Sequence, residues 1–189
     1  MKTTVINGSP RSNGSTAFII NKILESMNIS NADINYFCLG QTDIKYCLGC
    51  KDCYKTGKCV QHDDVDKIMK SIVESDLIVT ASPSYWGDIT GQLKVFFDRN
   101  TPFSDTNPND LKMKIPAGKK GLSVAVRAGT TERENIHIIE SIEHYFGHLH
   151  ITPIGKFSCT SIDTFEDLMK REDYIEKAFE YGKNLRAVL

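Results

Sequence analysis

The sequence lacks most of the features that would point to a membrane, a nucleic acid or a nucleotide triphosphate. No apolar run approaches the roughly 20 residues that a helical membrane span requires. The net charge is -1, from 23 basic and 24 acidic residues, so no overall field favours nucleic acid or an anionic bilayer. A Walker loop needs Gly-Lys followed by Ser or Thr, and no such triplet occurs, which argues against triphosphate hydrolysis. The Gly-x-Gly-x-x-Gly spacing of dinucleotide-binding turns is missing as well. Nothing resembles a secretion signal, because Met1 leads directly through Lys-Thr-Thr-Val-Ile-Asn into a glycine-containing loop. The expectation is a soluble protein of the cytoplasm, with no nucleic-acid or membrane partner.

What is present fits one domain over residues 1–189, with 40% hydrophobic and 25% charged residues. Six cysteines without a secretory context are unlike a disulfide framework. Cys47, Cys50, Cys53 and Cys59 crowd into thirteen positions, whereas Cys38 and Cys159 stand apart as ordinary buried thiols. Such clustering asks for a metal, a redox role or both.

Short apolar runs alternate with helical periods, the pattern of a parallel sheet covered on both faces. Strands are expected at Thr3 to Asn7, Asp33 to Phe37, Leu77 to Ala81, Gly121 to Val126 and Ile151 to Phe157. Helices are expected over Ser15 to Met27, from the acidic pair Asp63 and Asp64 through Val73, through Leu93 to Phe97, and over Glu132 to Phe146. A last helix carries Tyr174, Ala178, Tyr181, Leu185 and Val188 on one face. Residues 100 to 118, with three prolines and little periodicity, read as a long surface loop. Five βα units of this kind favour an α/β fold with strand order 2-1-3-4-5, whose ligand crevice lies beside the first strand.

Three loops at the carboxyl edge of that sheet carry chemistry. Gly8-Ser-Pro-Arg-Ser-Asn-Gly-Ser-Thr16 joins a strand to a helix, and its small residues let backbone N–H groups converge on one anion. Ser9, Ser15 and Thr16 add hydroxyl donors and Arg11 a charge, so a monophosphate is the natural guest. The plainer alternative is a capped turn with Asn13 or Ser15 as N-cap. Ser82-Pro-Ser-Tyr-Trp-Gly87 follows the central strand; Tyr85 and Trp86 can pack on an aromatic ring, and Gly87 permits close backbone approach. The alternative there is a hydrophobic plug or a subunit contact. Arg127-Ala-Gly-Thr130 follows the fourth strand, where Gly129 and Thr130 can present donors and Arg127 can equally be a surface charge.

The cysteine run Cys47-x2-Cys-x2-Cys-x5-Cys59 offers thiolates close enough to wrap a cuboidal cluster. Structural zinc sites usually present two separated pairs, which this spacing does not. Free thiols without metal are the third reading. His144 and His148 have the four-residue spacing of a helical metal pair, but Gly147 between them suggests that the helix is ending, so surface or interface packing is expected. His62 reads as part of a helix entrance, and no catalytic side chain is evident.

Taken together, the first loop, Pro83-Ser-Tyr-Trp86, Phe96-Phe-Asp-Arg99 and the cysteine run resemble the NADPH-dependent FMN reductase family, most of all its iron–sulfur flavoprotein branch. The resemblance is specific over residues 1 to about 130 and generic beyond. It implies a flavodoxin-like three-layer α/β/α sandwich that binds FMN and works as an oxidoreductase with NAD(P)H as transient co-substrate. It implies phosphate contacts from Ser9, Arg11, Ser12, Asn13, Ser15 and Thr16. The isoalloxazine would lie against Pro83, Ser84, Tyr85, Trp86 and Gly87, with Arg127, Gly129 and Thr130 nearby. A 4Fe-4S cluster on Cys47, Cys50, Cys53 and Cys59, a small-molecule or ferredoxin electron partner, and a homodimer or homotetramer are implied too. Arg99 also has a bland reading, a cation at a helix C-terminus. Competing classes are a non-enzymatic flavodoxin-like carrier and a zinc-stabilised interaction module.

Overall fold

The computed structural model describes residues 1–109, 114–187 and 189. In chain order it has β1 (Thr3–Asn7), α1 (Ser15–Ser26), β2 (Ile34–Cys38), α2 (Asp52–Thr56), α3 (Asp64–Glu74), β3 (Leu77–Pro83), α4 (Gly91–Asp98), β4 (Lys120–Val126), α5 (Arg133–His148), β5 (Thr152–Cys159), α6 (Phe165–Met169) and α7 (Glu172–Arg186). The strands form one parallel sheet in the order β2-β1-β3-β4-β5.

Alternation along the strands splits the core into two layers. Val5, Leu77, Val79, Leu122, Val124 and Val126 face α1, α6 and α7, and pack with Ile19, Ile20, Ile23, Leu168 and Ala178. Ile6, Ile78 and Ala125 face the other way, toward Ile68, Ile72, Leu93, Phe96, Ile138, Ile142 and Phe146 of α3, α4 and α5. Each fully buried side chain of this size stabilises the fold by about 1.5–3 kcal/mol. The second layer presses close to β4: a Cβ at Gly121 would stand 2.5 Å from the Phe146 ring.

Helix starts follow local chemistry. Asp63 caps α3, its carboxylate accepting from Val65 N–H at 3.1 Å, with Asp64 and Asp66 in the first turn. Thr164 and Asp167 form a reciprocal capping box on α6.

Two expectations need correction. The segment after α4 is not a surface loop throughout, because Pro102, Phe103, Ser104, Asn107 and Ile115 are buried. Its apolar side chains add to the α4–α5 layer, and residues 110–113 of the same expectation lie outside the described residues. Helix α5 does not stop before Gly147 but runs through it to His148. A glycine lowers helix stability by only about 1 kcal/mol, less than the packing of Tyr145 and Phe146 contributes. Tyr174, Ala178 and Leu185 of α7 are buried as expected, Tyr181 is half-buried, and Val188 lies outside the described residues.

The register brings the strand ends level. Asn7 stands beside Cys38 and Ala81, and Val126 beside Pro83 and Cys159. The loops that leave these positions therefore share one edge of the sheet.

Candidate functional site

At the first loop the backbone is fastened from below. Asn7, wholly buried, accepts the Ser9 N–H at 3.0 Å and donates to the Tyr36 hydroxyl at 3.2 Å. Burial pushes the Tyr36 phenol up to about 12, against the opposing bond from Asn7. Ser9 Oγ accepts the Arg11 N–H at 3.1 Å, Gly8 N–H donates to Ala81 O at 2.8 Å, and Thr90 Oγ1 donates to Gly8 O at 2.7 Å. A Cβ at Gly8 would lie 2.9 Å from Ala81 O and 3.1 Å from Thr90 Oγ1, so this close passage needs glycine. Helix α1 then opens on Gly14, not on Asn13 or Ser15, and no side chain caps it. Its first-turn amides keep their donors free, and the first turn itself carries no acidic residue to oppose an anion.

Ser9, Arg11, Ser15, Thr16, Pro83, Ser84, Tyr85 and Arg127 line one cleft of about 110 Å³, closed by Val126, Ala128, Ile162 and Asp163. The loops that follow β1, β3 and β4 thus meet at one cleft. Ser12 and Asn13 point away into solvent. Trp86 departs from expectation: it lies fully exposed in a left-handed turn, φ 55°, and does not line the cleft. Gly87 continues that turn at φ 78°, which glycine accepts without strain. Gly129 and Thr130 bend beside Arg127, and Gly129 O accepts the Ser161 N–H at 2.9 Å.

Arg127 is not a loose surface charge. Its guanidinium donates to Thr131 O and Thr131 Oγ1 and pairs with Glu134 at 2.8 Å, and Glu134 also accepts from Ser84 Oγ at 3.2 Å. The pair ties the third loop to the fourth. Arg127 Nε is buried and has no hydrogen-bond partner. Arg127 thus lines the cleft while the Nε end of its guanidinium is sealed from solvent.

The cysteine segment is built differently. Cys47 and Cys50 are exposed, Cys53 and Cys59 half-buried, and all four are free thiols around one small cavity of about 30 Å³. Burial pushes the Cys53 thiol up, and the neighbouring Cys59, Cys47 and Cys50 add to it. Among the described residues, no three cysteine, histidine or acidic side chains stand together as ready metal ligands. The donor chemistry nonetheless suits a thiolate-bound group, with four sulfurs on one cavity and a cation in its wall.

That cation is Arg99, which caps the C-terminus of α4 as its bland reading has it, yet turns its guanidinium inward. The Arg99 and Asp63 side chains are each only 1% exposed and pair at 2.6 Å. Arg99 also donates to Lys45 O at 2.7 Å and to Gln61 O at 3.4 Å, one on each stem of the cysteine loop. Asp63 accepts from Lys45 N–H at 3.1 Å. Burial alone would raise the Asp63 carboxyl, but the bonds from Arg99, Lys45 and Val65 hold it below its ordinary value.

Sequence reasoning missed Glu134, Thr90, Ile162 and Asp163. Thr90 had a signal, a hydroxyl residue before a helical run, which makes it the N-cap of α4. The others depend on contacts between distant loops.

A profile of the NADPH-dependent FMN reductase family matches residues 1–163. An iron–sulfur flavoprotein of Clostridioides difficile is 44% identical over 102 residues, 52% of this chain and 45% of that protein. An iron–sulfur flavoprotein of Archaeoglobus fulgidus is 35% identical over 136 residues, 72% of this chain and 59% of that protein. The matched stretches span about half the length of these two relatives. Among solved structures, an FMN-dependent NADH-azoreductase from Bacillus anthracis, in complex with FMN, superposes with a TM-score of 0.71 at 14% identity, covering 98% of this chain and all of that one. The fold is flavodoxin-like.

Proposed function

The chain belongs to the NADPH-dependent FMN reductase family, and we propose that it is an FMN-binding oxidoreductase that takes electrons from a reduced donor and passes them to a small acceptor. The observation that carries this reading is the cleft that joins the uncapped N-terminus of α1 to Pro83, Ser84, Tyr85 and Arg127. One end of the cleft offers amides and the Ser9 and Thr16 hydroxyls to a phosphate, with the Ser15 hydroxyl, now donated to Thr164 O at 3.2 Å, able to turn to it; the other offers Pro83, Ser84 and Tyr85 to a flat ring. Bound FMN would supply the exchange between two-electron and one-electron chemistry.

In this reading Arg11 balances phosphate charge from the solvent side, with Ser12 and Asn13 shaping the loop's outer turn. Glu134 holds Arg127 in place, so that Arg127 would stand beside the polar rim of the ring, with Gly129 and Thr130 completing the turn. Trp86 and Gly87 form a flap beside the exposed ring face, where NAD(P)H and then the acceptor would stack. The whole chain, residues 1–189, acts as one FMN-binding domain in the cytoplasm, as a homodimer or homotetramer whose neighbour covers the flap.

The test is the visible spectrum of anaerobically purified protein with its released cofactor identified, followed by steady-state NAD(P)H oxidation with flavin or quinone as acceptor. FMN with turnover is expected. FMN without turnover would leave a flavodoxin-like carrier; colourless protein with zinc would leave an interaction module.

The thiol cavity favours an addition. Cys47, Cys50, Cys53 and Cys59 would hold a 4Fe-4S cluster that serves a one-electron partner such as a ferredoxin, and Arg99 would fix the loop that carries them. Anaerobic reconstitution should load about four iron atoms per chain, and Cys50→Ala should abolish loading while FMN stays bound. Failure to load iron would leave a plain FMN reductase.

A further inference from the structure

A wide cleft of about 1140 Å³ opens between α4 and α5, bordered by Cys47 and Gly49 of the cysteine loop, and a histidine pair stands in its wall. His144 Nε2 and His148 Nε2 are 3.1 Å apart, with ring planes at 88°. The pair exists because α5 continues through Gly147, so residues four apart lie one above the other on the same face. His148 Nδ1 lies 2.7 Å from Asp105 Oδ1, and the Asp105 N–H donates to His148 O at 3.0 Å. A carboxylate only accepts, so the His148 Nδ1 carries the proton. In the neutral ring this leaves the Nε2 lone pair directed at His144.

We propose that His144 and His148 bind one divalent transition-metal ion through their Nε2 atoms, with Asp105 fixing the His148 ring from behind. Two metal–nitrogen bonds of about 2.1 Å spanning that separation enclose an angle of about 95°. A tetrahedral angle needs the nitrogens about 3.4 Å apart, a rotation of a few tenths of an ångström. The carboxylate on Nδ1 is the outer partner that metal-bound histidines generally have, since it sets the tautomer and strengthens the donor. Without metal, His144 Nε2–H can donate to His148; with metal, that proton moves to His144 Nδ1, and both rings remain neutral. Imidazole ligands suit Zn²⁺, Ni²⁺ or Cu²⁺ rather than Mg²⁺ or Ca²⁺. Among the described residues no third side chain completes the set. The remaining positions therefore open on the cleft, to water or to an anionic ligand held there. The cleft adjoins the thiol cavity, with which it shares Cys47, Asp98 and Thr101, but the two histidine ligands lie on α5 and need no FMN.

The probe is Zn²⁺, titrated calorimetrically into the full-length chain with Cys47, Cys50, Cys53 and Cys59 changed to serine, so that thiols do not compete. If that variant does not fold, the native chain with its accessible thiols alkylated takes its place. One Zn²⁺ per chain is expected. His144→Ala and His148→Ala should each weaken it at least tenfold, while His137→Ala, on the same helix but outside the pair, should not. Asp105→Asn should weaken it by about 10- to 100-fold; unchanged affinity there overturns the positioning role of Asp105. No saturable uptake, or uptake equal in the double variant His144→Ala/His148→Ala, overturns the site.

Discussion

The first loop and the cysteine loop leave neighbouring strands at the same edge of the sheet, yet they are held by opposite means. Residues 7–16 are fixed by their neighbours in the sheet: Asn7 accepts the Ser9 N–H, Thr90 donates to Gly8 O, Gly8 N–H donates to Ala81 O, and Ser9 and Thr16 are buried. The cysteine loop between Asp43 and Asp63 is largely exposed, and its stems are gathered by one buried guanidinium. A site for a ligand of fixed shape can be made from backbone and strand register. A loop whose thiols must close around something can be left open, provided that its ends are tied.

The comparison breaks most sharply at the tie. Arg99→Ala leaves Asp63 buried without its partner and should destabilise the protein by about 3–5 kcal/mol, read from urea unfolding. If stability falls by less than 1 kcal/mol, as expected for an exposed pair, the loop is not clamped as described. At the first loop the effect should fall on binding. Ser15→Ala with Thr16→Ala removes two hydroxyl donors worth roughly 1.5–3 kcal/mol each to a charged partner. FMN affinity should drop at least tenfold and riboflavin affinity hardly at all, and equal losses in a fluorescence titration would show that no phosphate is held there.

A smaller effect separates the two regions by pH. Because the Asp63 carboxyl is held below its unfolded value of about 3.9, its contribution is fully present above that value. It is lost as pH falls through the lower, folded value. Urea midpoints measured downward from pH 6 should decline less steeply in Arg99→Ala/Asp63→Ala than in the native chain. The smallest effect is at Trp86. Being fully exposed, Trp86→Ala should change stability by no more than about 0.5 kcal/mol. FMN should nevertheless quench the emission of this single tryptophan, and unchanged emission at saturation would put the ring away from the flap.

Most of the scaffold was legible because parallel strands buried on both faces announce themselves as apolar runs, as Leu77 to Ala81 does. The first loop was legible for a similar reason, since small residues between a strand and a helix have few other uses. Arg99 was not, because nothing around Phe96-Phe-Asp says that the next side chain turns inward to residues 36 and 54 positions earlier. The continuation of α5 through Gly147 was hidden because propensity is local, whereas Tyr145 and Phe146 hold the turn by packing on α4 and β4. The exposure of Trp86 was not legible, since an aromatic residue reads the same in a sequence whether it lines a pocket or lies outside it. Glu134 gave no signal at all, because its partners come from two other loops.

The Arg99 clamp also imposes a schedule. During synthesis the four cysteines leave the ribosome before the residue that gathers their stems. Forty residues separate Cys59 from Arg99, which at about 5–20 residues per second is roughly 2–8 seconds of elongation. In that interval the thiols sit on a chain with no fixed spacing, open to any metal or oxidant that reaches them. Only when α4 has formed and its terminal guanidinium reaches Lys45, Gln61 and Asp63 does the loop acquire a defined span. The order of residues along the chain therefore decides when the cysteines become a site.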